Sequence, residues 1–176
     1  MRPFDVRRDG FIPRPGAACL ILENADLARQ RGAKIFAYLT GWSMLFDSHS
    51  LLTMSPDGEA IARLINDVLA KSIFTNGQAE PARQAGRGAF GERALHVNSV
   101  DYVNLHATAT QYGDLVEARG VALALGNNVP SSATKPLTGH NLGAAGAVEA
   151  FLTVRVLGEN MIPPTLNFEE LDSQCP

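Results

Sequence analysis

Val100-Asp-Tyr-Val-Asn-Leu-His-Ala-Thr-Ala-Thr110 is the stretch whose reading decides the fold. Residues 100–105 carry β-favouring side chains and predict a strand. The small and hydroxylated residues after them predict a turn over 106–114. A helical pattern over 115–125 follows, stopped by Gly126. A short strand near Ser131–Ala133 then leads into a loop, Lys135-Pro-Leu-Thr-Gly-His140-Asn141, and a small-residue helix over roughly 142–157. Strand–helix–strand–helix order predicts a layered α/β arrangement. His106 and His140 therefore each follow a strand, where α/β folds place their ligand-contacting loops.

Upstream, Asp9-Gly10-Phe11 with Pro13, Pro15 and Gly16 predicts a turn into a strand over 17–23. Cys19 lies in its Ala-Ala-Cys-Leu-Ile-Leu run and is expected in the core of a doubly buried strand. Residues 24–31 predict a short helix stopped by Gly32, and 34–40 a second strand. Residues 41–55, with Trp42, Asp47 and His49, predict an irregular loop. Pro56-Asp57 opens a helix over 58–71, in which Ala60, Ile61, Leu64, Ile65, Val68 and Leu69 share a face. Residues 72–98 interleave glycines with Arg83, Arg87 and Arg93 and predict a long flexible loop.

The 176 residues, 45% hydrophobic and 19% charged, suit a single folded domain rather than a disordered chain. A net charge of −3 provides no electrostatic footprint for nucleic acid. The basic residues among the first 34 (Arg2, Arg7, Arg8, Arg14, Arg29, Arg31 and Lys34) read as a solvated surface or as a docking patch for an acidic partner. Two distant cysteines, Cys19 and Cys175, make no disulfide framework and fit a reducing cytoplasm. No apolar run approaches the ~20 residues that span a membrane.

The chemistry-bearing residues gather in the two loops. Lys135 lies five residues before His140, and its ammonium would disfavour imidazolium. Glu149, two turns into the following helix, could hold that ammonium in an ion pair. Thr108 and Thr110 alternate, so both hydroxyls can face one side. His106, Asp114 and His140 could also form a metal triad, against which Lys135 counts. Gly139, Gly143 and Gly146 do not make a dinucleotide-binding spacing, and no Gly-x-Ser-x-Gly elbow is present. The constellation has no evident nucleophile.

These residues resemble the β-ketoacyl-acyl-carrier-protein synthases, the condensing enzymes of fatty-acid and polyketide synthesis. The resemblance begins at Arg2-Pro-Phe-Asp5 and Arg8-Asp-Gly-Phe11. It is strongest from Val100 to Glu149 and continues to Pro163-Pro-Thr-Leu-Asn167. It implies a thiolase-like layered αβα fold, with residues 1–176 forming an incomplete C-terminal half. It also implies an acyltransferase (3-oxoacyl-ACP synthase) that condenses malonyl-ACP with an acyl thioester by decarboxylation. His106, His140 and Lys135 would be catalytic, Glu149 supporting, and Thr108 and Thr110 in contact with the pantetheine arm.

By the same resemblance the chain needs no cofactor of its own, since phosphopantetheine arrives on the acyl carrier protein. The partners expected are that carrier protein, an N-terminal half supplied in cis or trans, and a second copy in a homodimer, with no nucleic acid or membrane. The family's cysteine nucleophile lies in its first half and its gating Gly-Phe-Gly-Gly-Thr-Asn loop near its end. The expectation is therefore a truncated or split synthase that forms no acyl-enzyme alone. Arg14-Pro15 departs from the Gly-Glu pair usual before Gly16. The other reading is a non-catalytic scaffold of the chain-length-factor type, which commonly loses these histidines. A third reading, a thiolase or ketoacyl synthase of the coenzyme A-using type, is disfavoured by the two histidines, since those enzymes typically pair histidine with asparagine or a second cysteine.

Overall fold

The computed structural model describes residues 1–72 and 100–176. The expected loop over 72–98 therefore falls almost wholly outside the described residues. In chain order the elements are α1 (Ala25–Gln30), α2 (Glu59–Lys71), β1 (Val103–Leu105), α3 (Gln111–Leu125), β2 (Ser131–Ala133), α4 (Lys135–Thr138), a 3-10 turn (Leu142–Ala144) and α5 (Ala145–Glu159). β1 and β2 run parallel, with Val103 opposite Ser131 and Leu105 opposite Ala133. That register sets the loops after the two strands side by side.

Most boundaries follow from capping. Asn24 accepts from the amides of Asp26 and Leu27 and starts α1. Thr110 accepts from the Gly113 amide at 3.2 Å, so α3 begins at Gln111 rather than at the expected 115. The expected loop at 135–141 contains a single helical turn, because Pro136 suits a first turn and Gly139, at φ 74°, ends it.

Residues 17–23 and 34–40 form no strand. A strand needs a hydrogen-bonded neighbour, and no ladder partner lies beside either segment among the described residues. Their apolar side chains stay open to solvent, Ile21, Leu22, Phe36 and Leu39 among them. Cys19 is accordingly exposed rather than in the core.

α2 packs on α3 around Ala62, Leu69, Ala124 and Leu125, with Ile65, Val103, Val121 and Val129 against them. A second cluster, Leu105, Ala107 and Ala133, joins the strand ends to Phe4. The two helices approach through glycine. A β-carbon at Gly120 would lie 2.5 Å from Ile61 Cβ and 2.8 Å from the Gly58 carbonyl. Alanine in a helix interior normally gains about 1 kcal/mol over glycine. Overpacking costs about 1–3 kcal/mol, and at 2.5 Å the clash wins. Gly120→Ala is thus expected to lower the melting temperature by a few degrees; a rise in thermal unfolding would refute this packing.

The chain's two terminal segments are tied together. Val6 donates to the Glu170 carbonyl (2.9 Å) and Asp172 to the Phe4 carbonyl (2.9 Å). Asp5, fully buried, accepts from the amides of Arg7, Glu169 and Glu170 and from the Arg7 guanidinium. Those donors, Arg7 foremost, hold its carboxyl well below the usual carboxylate range. Arg8 corrects the expectation of a solvated basic surface, since it is 4% exposed. Its guanidinium meets Asp172 at 2.6 Å and the carbonyls of Asp5, Thr110 and Gln111. Four acceptors make burial of that charge affordable.

Candidate active site

The site is built where the loops after β1 and β2 meet. The His106 and His140 rings lie edge to face, 5.5 Å between centroids. Phe11 packs on the far side of His140 at 4.8 Å. The N-terminal segment fixes the second loop from outside. The Arg14 amide donates to the His140 carbonyl and the His140 amide to the Ile12 carbonyl, each at 3.0 Å. Arg14, the departure from the family pattern, also lays its aliphatic stem over Gly139; a β-carbon there would fall 2.6 Å from Arg14 Cγ and Cδ.

Lys135 is 1% exposed. Its Nζ faces His106 Nδ1 at 3.2 Å, the His106 carbonyl at 2.5 Å and a Glu149 carboxylate oxygen in an ion pair. Three acceptors require three N–H donors, which only the ammonium form supplies. Lys135 therefore has no donor left for a ligand. Its contact also makes His106 Nδ1 an acceptor, which puts the ring proton on Nε2. His140 reaches the same tautomer by another route, since the Leu142 amide donates to its Nδ1 at 3.2 Å. Both imidazoles thus keep an Nε2–H free to donate.

Both rings are held neutral. Burial, then the Lys135 charge, then His140 lower the His106 pKa from 6.5 to about 4, although the residue is still solvent-exposed. Burial and Lys135 likewise lower His140, with Glu149 opposing. A histidine whose folded pKa is depressed stabilises the fold fully above its unfolded value, and that contribution is lost as pH falls through the folded value. The melting temperature is expected to decline from about pH 6.5 toward pH 4. The decline should be reduced in His106→Gln, which does not titrate. Equal declines in both proteins would refute the shift.

Thr108 and Thr110 place their hydroxyls 3.0 Å apart. Because Thr110 accepts from the Gly113 amide, it can donate to Thr108, leaving the Thr108 hydroxyl hydrogen for a ligand. Asp114 does not join the histidines. Its buried carboxylate accepts from the Phe4 amide at 2.9 Å, so the structure does not assemble the alternative metal triad. Cys175 is buried beside Phe4, Leu105 and Ile162 in a cavity of about 580 Å³. Burial pushes its thiol up, away from a reactive thiolate.

One residue of the site was not singled out from sequence. Glu117, in the second turn of α3, accepts from the His106 and Ala107 amides at 2.7 Å each. The signal was present: an acidic side chain early in a helix leans toward the N-terminal turn.

Residues 72–169 match the family model described as beta-ketoacyl synthase, C-terminal domain. The chain is 37% identical to a 3-oxoacyl-[acyl-carrier-protein] synthase 2 of Synechocystis sp., across 99% of this chain and 38% of the relative. It is 38% identical to the mitochondrial 3-oxoacyl-[acyl-carrier-protein] synthase of Arabidopsis thaliana, across 97% and 34%. Among solved structures it is similar to a type II polyketide ketosynthase in complex with its acyl-carrier protein (TM-score 0.81, 29% identity, 99% of this chain and 38% of that one). The ishigamide ketosynthase/chain length factor is similar to the same degree (TM-score 0.81, 30% identity, 99% and 38%). The chain thus spans well under half the length of these relatives, and its fold is part of the thiolase-like ketosynthase fold. With its histidine loops inside the matched region, this chain belongs to the beta-ketoacyl synthase family, of which it carries the C-terminal domain.

Proposed function

We propose that this chain forms the decarboxylating side of a β-ketoacyl-ACP synthase that works in fatty-acid or polyketide synthesis. The observation that carries the reading is the pair of neutral imidazoles, each with Nδ1 already occupied and Nε2–H free. In the reaction, the bond from the malonyl α-carbon to its carboxylate breaks and CO2 leaves. The electron pair passes into the thioester as an enolate, whose oxygen accepts from the two Nε2–H groups. The enolate carbon then attacks the carbonyl of an acyl group held on a cysteine. A carbon–carbon bond forms, the carbon–sulfur bond breaks, and the thiolate leaves. Donors placed before the charge appears need no reorganisation when it does.

Lys135 and Glu149 act on the histidines rather than on the substrate, because every Lys135 donor is used inside the protein. The carrier-protein substrate would present its pantetheine arm to Thr108, with Thr110 orienting that hydroxyl from the helix cap. No cofactor of its own enters this chemistry. The cysteine would come from the rest of the synthase, in cis or trans, and the assembled enzyme would be a homodimer. The decarboxylation can be followed in a chimera in which this chain replaces the aligned segment of the Synechocystis relative. Release of CO2 from malonyl-ACP supports the reading. A folded chimera that binds the carrier protein but releases none favours the scaffold reading.

A further inference from the structure

Thr108 and Thr110 stand on a turn whose own side chains do not hold it. Ala107 (φ 39°) and Ala109 (φ 60°) alternate with them, and both lie in the left-handed region that alanine rarely adopts. The two threonine hydroxyls meet at 3.0 Å across Ala109, so their contact depends on that torsion staying in place. The carbonyls of Ala109, Thr110 and Gln111 are all engaged by one short segment from the other end of the chain. The Gly10 amide donates to the Ala109 carbonyl at 2.7 Å. Arg8 Nε donates to the Thr110 carbonyl at 3.2 Å, and its Nη2 to the Gln111 carbonyl at 2.7 Å.

Electrostatics alone would not put an arginine there. Thr110 is the N-cap of α3, and the positive end of a helix repels a cation. Arg8 is buried against it all the same. Its charge is answered by Asp172, 2.6 Å from Nη1, while the other oxygen of that carboxylate accepts from the Gln174 amide at 3.0 Å. The Asp172 amide is tied in turn to the Phe4 carbonyl at 2.9 Å. A planar guanidinium docked on a held carboxylate presents its remaining N–H groups in a set direction, and here that direction meets two successive carbonyls. A lysine ammonium has no such fork. It could meet Asp172 or one of the carbonyls, but it would not set two peptide planes at once.

We infer that Arg8, oriented by Asp172, is a positioning residue for the carrier arm: it fixes the peptide planes after Thr110, so that the Thr110 hydroxyl donates to Thr108 and the Thr108 hydroxyl hydrogen is left for the arm. The effect on the arm rests on the reading of Thr108 proposed above. The fixing of the cap does not, and it can be followed in this chain alone at the Gly113 amide, which donates to Thr110 Oγ1. The contacts that set the two imidazole tautomers come from Lys135 and Leu142, not from Arg8. The expected signature is therefore weaker use of the substrate with the chemical step retained.

The test measures KM and kcat for CO2 release from malonyl-ACP in the chimera, for Arg8→Lys, Thr108→Val and the two together. Arg8→Lys should raise KM about three- to tenfold, the range of one lost hydrogen bond, and leave kcat nearly as it was. In the Thr108→Val background the same change should add little. An unchanged KM in a folded Arg8→Lys protein would overturn the inference, and so would an effect that adds in full to that of Thr108→Val. Gly120→Ala, which strains the same helix away from the cap, should leave KM alone; an equal rise there would also overturn it. If Thr108→Val itself leaves KM unchanged, the reading of the arm fails, and hydrogen exchange of this chain decides the positioning. The Gly113 amide should exchange faster in Arg8→Lys than in the unaltered protein, and equal rates would sink the idea. Should Arg8→Lys not fold, Asp172→Asn replaces it in both measurements. It should move KM and Gly113 exchange in the same directions, and no movement in either would count against the role of the pair.

Discussion

In the chimera, replacing His140 or His106 by alanine is expected to slow CO2 release from malonyl-ACP by about 10²–10³-fold, the usual cost of one oxyanion donor. The two losses should not multiply. Each Nε2–H donates to the same developing charge, so the double variant should fall little below the weaker single one. The measurement is CO2 release under single-turnover conditions, with carrier-protein binding followed separately. Binding should survive, because neither ring is needed to hold the arm. If both variants kept full turnover, the histidines would be relics and the scaffold reading would stand.

Replacing Lys135 by methionine is the second large effect, and it separates structure from chemistry. The substitution removes a buried cation and leaves the Glu149 carboxylate and the His106 carbonyl without their partner. Breaking a buried pair from one side costs about 3–5 kcal/mol, whereas removing both charges together costs far less. Lys135→Met alone should therefore unfold at markedly lower urea, and Lys135→Met with Glu149→Leu should recover much of the loss. CO2 release should stay low in both, because His106 Nδ1 has lost its donor in both. Recovery of turnover along with stability would show that Lys135 only fills a hole.

The parts of this molecule that could be read from sequence are those whose cause is local. The α2 face shows in the spacing from Ala60 to Leu69, the end of α3 in Gly126, and the order of β1, α3, β2 and α5 in alternating patterns. Thr110 caps α3 at Gln111, ahead of the start at 115 that the hydrophobic pattern predicts. The convergence of His106, His140 and Lys135 followed from two adjacent strand ends. What failed depends on distant chain. Residues 17–23 carry a strand's composition, but composition does not supply a neighbour. Arg8 looks like any surface arginine until four acceptors, from residues 5, 110, 111 and 172, close around it. Glu117 is one acidic helix residue among several, and only the geometry of two amides distinguishes it.

The tie between the terminal segments has a consequence in time. Bringing residue 5 against residue 171 closes a loop whose entropy cost grows as the logarithm of its length, roughly 4–5 kcal/mol here before any constant term. That cost falls due late, because Arg8 cannot meet its carboxylate until Asp172 has been made. On the ribosome the strand pair and the α2–α3 contact can form first, from residues close together in sequence. The backbone around Thr110 must wait for a partner synthesised well after it. A nascent chain would therefore carry both histidines for some time before its first loop is locked, and the site is finished from the outside in.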